Sequence, residues 1–122
     1  MDELLRKGIG LFNEREFFHC HEVLEEAWTP ELGDRRLFLQ ALIHIAVGFY
    51  HSQRGNPVGA CGQLRKGLLK LAAYLPECEA IDTERLYRET RAVLDEIEAC
   101  GTVSEYPRIV TDASSRGQDF SM

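Results

Sequence analysis

The side chains best suited to chemistry lie close together in residues 21–25, with the sequence HEVLE. In a helix, residues four apart share a face, so His21 and Glu25 project together and Trp28 joins them one turn later. An imidazole and a carboxylate in this arrangement can share a divalent metal ion. Glu22 lies about 100° round the helix from His21, where it can act as a general base only if the helix is flanked on that side.

A second group of polar residues interrupts the helix predicted for residues 36–54, which is otherwise apolar and is expected to be the buried centre of the fold. Because each residue turns an α-helix by about 100°, the polar residues all fall within about 40° of the direction of Gln40. They form one narrow stripe: Arg36, Gln40, His44, His51 and Arg54. The stripe requires polar partners, and those partners decide its function.

Three interpretations of these residues remain open. In the first, His21 and Glu25 hold a divalent metal ion or a small ligand, and His44 or His51 completes the site. In the second, they form a hydrogen-bonded network between two buried helices, in which each polar group offsets the desolvation of the other. In the third, they line a solvated groove. The candidate polar cluster comprises His21, Glu25, Trp28, Arg36, Gln40, His44 and His51.

The composition argues against several classes of protein. The net charge is −6 and the 14 basic residues are spread out, whereas binding nucleic acid requires a clustered basic surface. No run reaches the roughly 18 apolar residues of a membrane-spanning helix, and the first residues, MDELLRKG, lack the apolar core of a signal peptide. The four cysteines form no CxxC pair, which indicates reduced thiols. We therefore expect a cytoplasmic protein without nucleic-acid or membrane partners.

Helical periodicity and punctuation predict five helices and no strand. The predicted helices cover about residues 2–12, 15–28, 36–54, 57–75 and 83–101. The expected fold is an all-α single domain, packed as antiparallel hairpins around the buried central helix. A weak repeat offset by about 40 residues resembles the second half of a tetratricopeptide unit and supports this pairing. Residues 1–101 form the predicted domain, and residues 102–122 form an extended tail that is disordered from residue 114.

Glycine, proline and aromatic residues give more local predictions. Asp34 is expected to cap the central helix, whereas Gly55, Asn56 and Pro57 end that helix and begin the next. Three glycines inside the fourth helix cost about 1 kcal/mol each relative to alanine, which predicts close approach of a neighbouring backbone. They are Gly59, Gly62 and Gly67. Core positions are predicted for Phe17, Phe18, Trp28, Phe38 and Phe49, and a surface position for His19.

Several short motifs together resemble a known family. They are Phe12-Asn13, Phe17-Phe18, His21-Glu22-x-Leu24-Glu25-x-x-Trp28, Arg36-x-Phe38-Leu39-Gln40-x-Leu42-Ile43, Tyr50-His51, Gly55-Asn56 and Gly59-Ala60. Over about residues 8–76 the chain resembles the bacterial and archaeal family known as domain of unknown function 309. The resemblance implies a small all-helical domain without an established activity.

Relatives in this family are sometimes labelled predicted metal-dependent hydrolases, and that label implies a role for residues such as His21, Glu22 and Glu25. The family tends to have glutamine where this chain has His44. A required metal ligand is not expected at such a position, so His44 becomes an accessory residue. The better candidates that remain are His21, Glu25, Gln40 and His51.

Two functions follow from these residues. In the enzyme hypothesis, His21, Glu25 and His51 hold a divalent metal ion, and Glu22 is the base for a water that attacks an ester, amide or phosphoester. In the binding hypothesis, the groove between the helix pairs holds a peptide or partner helix. A homodimer through the glycine-rich fourth helix is compatible with either. We favour a binding or interaction domain, because the sequence offers no complete catalytic constellation.

Overall fold

Five α-helices make up most of the computed structural model, which describes residues 1–111. The helices are α1 (Glu3–Asn13), α2 (Phe17–Trp28), α3 (Asp34–Gln53), α4 (Pro57–Leu71) and α5 (Thr83–Cys100). A short 3-10 helix, Ala72–Tyr74, follows α4, and two short strands, β1 (Glu77–Cys78) and β2 (Ile81–Asp82), precede α5. The prediction of an all-α single domain is confirmed. The predicted disorder of residues 114–122 lies outside the described residues.

Side-chain caps and positive backbone angles set the helix ends as the sequence predicts. The Asn56 side chain accepts a hydrogen bond from the Gly59 amide at 3.0 Å, and Pro57 is the first helical residue. Gly55 and Gly101 have φ values of 70° and 76°, the left-handed conformation that glycine adopts without a Cβ clash. These signals predicted the end of α3, the beginning of α4 and the end of α5.

Helix α3 begins two residues before the predicted start at Arg36, and its N-cap lies one residue before the predicted cap. Gly33 occupies the N-cap position in an extended conformation, and Asp34, predicted as the cap, is the first helical residue and makes no capping bond. Its carboxylate still lies in the first turn, where a negative charge interacts favourably with the helix dipole.

Helix α3 is the centre of the molecule, as its apolar sequence predicts. Helices α2 and α4 pack on α3, while α1 packs on α2 and α5 packs on α4. Most side chains of α3 are themselves buried: Phe38, Leu39, Ala41, Leu42, Ile43, Ile45, Ala46 and Phe49. None of the helices within residues 1–111 is long and apolar enough to cross a membrane.

Close backbone approach explains one of the three glycines of α4. A Cβ added to Gly67 would lie 2.7 Å from Ile45 Cγ1 and 3.1 Å from the Ala41 carbonyl oxygen, so only glycine lets α4 sit this close to α3. A Cβ on Gly59 would instead meet the side chains that end α3 and cap α4. The prediction was wrong for Gly62, where an added Cβ meets nothing within 4 Å.

The antiparallel hairpin of β1 and β2 corrects the prediction that the chain has no strand. Each strand has two residues, which is too short for an alternating pattern to be read from the sequence. The hairpin turns at Glu79 and Ala80, with φ values of 48° and 67°, and neither residue type signals a turn. Ile81 of β2 is fully buried and also bridges to Thr111.

The segment after α5 packs onto the core. Ile109 is buried, and its backbone is held by Asn13: the Ile109 amide donates to Asn13 Oδ1 at 2.7 Å, and Asn13 Nδ2 donates to the Ile109 carbonyl at 3.0 Å. The Tyr106 ring lies 5.1 Å from that of Phe17 and 5.2 Å from that of Phe49. This segment therefore covers the aromatic cluster between α2 and α3.

Candidate functional site

A groove runs along α3 between α2 and α4. Its floor is a strip of half-buried side chains at helical spacing, including Gln40, His44, Val47 and His51. The ends of the helices show that α2 runs antiparallel to α3, since Phe18 contacts Tyr50 while Trp28 contacts Arg36. From Gln40 to His51 the floor is about 17 Å long, since each residue of an α-helix adds about 1.5 Å. Within α3, the polar stripe predicted from the sequence is thus half-buried along one side of an otherwise buried helix.

A pocket of about 250 Å³ opens at the middle of this groove. Its walls come from all three helices: His21, Glu25 and Trp28 of α2, Gln40, Ile43, His44 and Val47 of α3, and Gln63 of α4. Five residues of the predicted polar cluster therefore line one cavity. Gln63 was not predicted. The sequence signal for it was an uncharged polar residue that lies one helical turn after Ala60, a buried residue of α4.

Larger cavities lie elsewhere but contain none of the predicted residues. One of about 330 Å³ separates α5 from residues 104–108. Two others, of about 410 and 450 Å³, border Thr111, where the described chain ends. The groove pocket is enclosed by described helices alone.

His21 has a polar partner at each of its two ring nitrogens. Nδ1 lies 3.1 Å from the Phe18 carbonyl oxygen, and Nε2 lies 3.2 Å from Oε1 of Glu25. The carbonyl oxygen can only accept, so Nδ1 donates to it, and Nε2 faces the carboxylate. The i, i+4 pairing predicted for His21 and Glu25 is present. About half of the Glu25 side chain, 51%, stays exposed and free to meet a ligand.

His44 also uses both of its ring nitrogens. Nδ1 lies 2.8 Å from Gln63 Oε1, and Nε2 lies 3.3 Å from the Lys70 ammonium nitrogen. Burial has the largest effect and lowers the pKa of His44; the Gln63 hydrogen bond opposes it, and the positive charges of Lys70 and Lys66 lower the pKa further. The neutral ring therefore donates from Nδ1 to Gln63 and accepts from Lys70 at Nε2, a tautomer assigned from its partners.

Trp28 lines one end of the pocket, and Arg36, which does not line it, stacks on the Trp28 ring. The Arg36 guanidinium lies 3.8 Å from the centre of the Trp28 ring and donates to the Glu31 carbonyl at 2.9 Å. Stacking of this kind stabilises the pair and fixes the indole. Trp28 was predicted to be a core residue but is only half-buried. Its Nε1 is buried without a hydrogen-bond partner among the described residues.

The remaining predicted site residues lie outside the pocket. His51 does not line it, and its Nδ1 lies 3.4 Å from Asn56 Nδ2 where α3 gives way to α4. Glu22 points to solvent and lies 3.3 Å from Nδ1 of His19, which is exposed as predicted. Phe18 corrects a prediction, because it is 42% exposed and stacks on the edge of the groove with Tyr50 and His21 rather than in the core.

The residues of this site do not fit a metal ion. Within residues 1–111, no three His, Cys, Asp or Glu side chains are placed to hold one, and the predicted set of His21, Glu25 and His51 is not brought together. The ring nitrogens of His21 and His44 already have protein partners, and the Lys70 ammonium 3.3 Å from His44 repels a cation.

A cysteine nucleophile also lacks support. Burial raises the pKa of Cys20 to about 12 and raises that of Cys61. A thiol in this state is protonated at neutral pH and reacts slowly, since the thiolate is the nucleophile. Neither cysteine lines the pocket. The chemistry that this arrangement offers is hydrogen bonding and apolar contact.

Comparison with known proteins gives a family without an assigned activity. Residues 5–62 match the model of the family described as Domain of unknown function (DUF309). The chain is 33% identical over 99 residues to the uncharacterized protein YpuF of Bacillus subtilis (strain 168). The aligned region covers 79% of this chain and 55% of that protein. It is 25% identical over 108 residues to an uncharacterized protein of Aquifex aeolicus (strain VF5). That aligned region covers 88% of this chain and 31% of the relative.

The chain thus spans about half of the first relative and about a third of the second. The family match contains all of α2 and α3, and therefore the floor and one wall of the groove. Gln63 and Lys70, on the other wall, follow it. The resemblance predicted from the sequence motifs is confirmed: residues 5–62 match the model of the family described as Domain of unknown function (DUF309).

Proposed function

We propose that this protein is a binding domain and that the pocket at the middle of the groove receives an amphipathic group of its ligand. The observation that carries the proposal is the lining itself. Apolar side chains, Ile43 and Val47, lie beside polar groups that the protein does not use. Among the described residues, Gln40 makes no side-chain hydrogen bond, and Gln63 uses its oxygen for His44, which leaves its amide nitrogen free.

These free groups define what fits. The Gln40 oxygen accepts hydrogen bonds, as does Oε2 of Glu25, whose Oε1 pairs with His21. The Gln63 amide donates one. Binding pockets commonly combine a mostly apolar lining with a few convergent polar groups that fix the orientation of the ligand. A peptide residue has this composition, because it presents an apolar side chain beside backbone amides. We therefore propose a protein or peptide ligand over a metal-dependent substrate, whose ligand set does not converge here.

A cytoplasmic location is part of the proposal. Cys20, Cys61, Cys78 and Cys100 are all free thiols, the state that a reducing compartment maintains.

Fluorescence of Trp28 tests the proposal, because it is the single tryptophan of the chain and lines the pocket. We expect its emission to change on titration with benzamide or N-acetyl-leucine amide, which combine an apolar body with an amide. Toluene, which has no amide, should bind at least about tenfold more weakly. The amide contributes this difference because it satisfies the free polar groups of the pocket.

Two phenylalanine variants provide the control. Val47→Phe fills the pocket and should abolish the response, whereas Leu69→Phe adds the same ring to an exposed position of α4, 79% accessible, and should leave it unchanged. Equal responses from both variants, or no response to either amide in the unmodified protein, would contradict the proposal.

A further inference from the structure

Charge is segregated between the two walls of the groove. Helix α2 carries Glu22, Glu25 and Glu26 and has no lysine or arginine. Helix α4 carries Arg65, Lys66 and Lys70 and has no aspartate or glutamate. Both walls pack against the same central helix, so opposite charges face each other across the floor.

Specific residues of each wall border the groove. Glu25 lines the pocket and Glu22 precedes it by one turn, which forms an acidic rim. On the other side, the Lys70 ammonium lies 3.3 Å from His44 Nε2, and Lys66 is close enough to lower the pKa of His44. These two lysines form a basic rim. Arg65 is not part of it, because its guanidinium bonds to Glu98 of α5.

Apolar and aromatic side chains lie between the rims. Ile43, Val47 and Trp28 line the pocket, and Phe18 stacks on Tyr50 nearer the end of α3, with ring centres 5.2 Å apart. The floor residues are half-buried, whereas Glu22, Glu25 and Lys66 are exposed. The surface is therefore concave, apolar along the middle and oppositely charged along its two edges.

We infer that the ligand of this groove is an amphipathic α-helix of a partner protein, with basic residues along the edge that meets α2 and acidic residues along the edge that meets α4. This inference rests on the proposed binding function and names the class of partner. A floor about 17 Å long contacts about three turns of such a helix. Helices that lie in such grooves insert their apolar stripe and place charged flanks against the rims.

A second copy of this chain fits less well. Two copies that meet through this surface would set one concave groove against another, which leaves the floor uncovered. The net charge of −6 also opposes self-association. A convex occupant, such as a single helix, fills the groove and meets both rims at once.

Synthetic helical peptides of about 18 residues test the inference. All carry the same leucine stripe and lack tryptophan. One has lysine along one edge and glutamate along the other, a second has lysine along both edges, and a third has glutamate along both. Binding is followed by Trp28 emission. We expect the bipolar peptide to bind about tenfold more tightly than either control, since several exposed ion pairs then act together.

Charge-reversal variants make the test specific to the rims. Glu22→Lys with Glu25→Lys should weaken the bipolar peptide about tenfold. Adding Lys66→Glu and Lys70→Glu to this double variant exchanges the charges of the two rims and should restore binding. The bipolar peptide can then bind in the opposite direction along the groove, which exchanges its two charged edges and keeps its apolar face on the floor. Glu26→Lys on α2 and Lys7→Glu on α1 make the same charge changes outside the rims and should alter binding by less than about twofold.

Each outcome decides the inference. It is overturned if the all-lysine peptide binds as tightly as the bipolar one, or if the four-residue exchange fails to restore binding while circular dichroism shows an intact fold. A dimer in sedimentation that Lys66→Glu dissociates would also overturn it, since a second copy would then occupy the groove. If no peptide binds but benzamide still changes Trp28 emission, the partner class is wrong and the pocket stands. Loss of both responses would remove the proposed function itself.

Discussion

At His44, burial and the lysine ammonium groups act in the same direction, and both keep the ring neutral. Because the pKa of His44 is lowered in the folded protein, the unfolded chain binds a proton at this residue more readily. The contribution of the neutral His44 ring to the unfolding free energy is therefore fully present when the pH is above the ordinary histidine pKa of 6.5, and it is lost as the pH falls below that value. We expect the unfolding free energy of the unmodified protein, relative to that of His44→Gln, to fall from about pH 7 to about pH 5.

Chemical denaturation at several pH values measures this difference. Lys70→Gln provides the control, because it removes one of the charges that lower the pKa and should make the loss shallower without abolishing it. A difference that stays constant with pH, or that grows as the pH falls, would show that His44 is not held in the neutral form.

The same residue shows how far side-chain contacts could be predicted. The pairing of His21 with Glu25 follows from their spacing alone, since a helix brings residues four apart together. The partners of His44 are 19 and 26 residues away, Gln63 and Lys70. No local rule links them to His44, because their contact depends on the packing of α4 against α3. Sequence spacing therefore found the α2 side of the pocket and missed the α4 side.

At the scale of elements, the close contact of α3 with α4 depends on Gly67. Gly67→Ala should lower the unfolding free energy by about 1–3 kcal/mol, because the new methyl group meets Ile45 and the Ala41 carbonyl oxygen. Gly62→Ala on the same helix should raise it by about 0.5–1 kcal/mol, since nothing obstructs its Cβ and alanine favours the helix. Urea denaturation of both variants measures the two effects, and changes of the same sign would contradict this packing.

Helix ends were predictable where a side chain or a glycine determines them. Asn56, Pro57 and Gly101 act through local geometry, and each was placed correctly. Asp34 was misplaced by one residue, because Gly33 before it also suits the cap position. The hairpin before α5 was missed since its strands are held by Ile81, whose burial is a property of the assembled fold.

At the scale of the whole molecule, residues 102–111 complete the core. A chain that ends at Gly101 should be less stable than one that ends at Thr111, by on the order of 3 kcal/mol, because it loses buried Ile109 and uncovers the aromatic cluster under Tyr106. Thermal unfolding of the two truncated chains measures the loss. Equal stability would mean that the domain ends with α5, as the sequence alone predicts.

The arrangement of five helices was predictable because apolar periodicity identifies each helix and short connections pair neighbours. The groove was one of three open interpretations of the polar stripe. Choosing between a buried network and an open floor requires the separation of α2 from α4, and no pattern within a single helix contains that distance. The central claim, that the floor is a binding surface, depends on this opening.

The measurement that tests this claim most directly is nuclear magnetic resonance of the isotope-labelled protein during titration with N-acetyl-leucine amide. We expect the indole N–H signal of Trp28 and the side-chain amide signals of Gln40 and Gln63 to shift together, with one dissociation constant, and these shifts to disappear in Val47→Phe. Shifts confined to other surfaces, or identical in Val47→Phe, would show that the pocket does not bind this ligand.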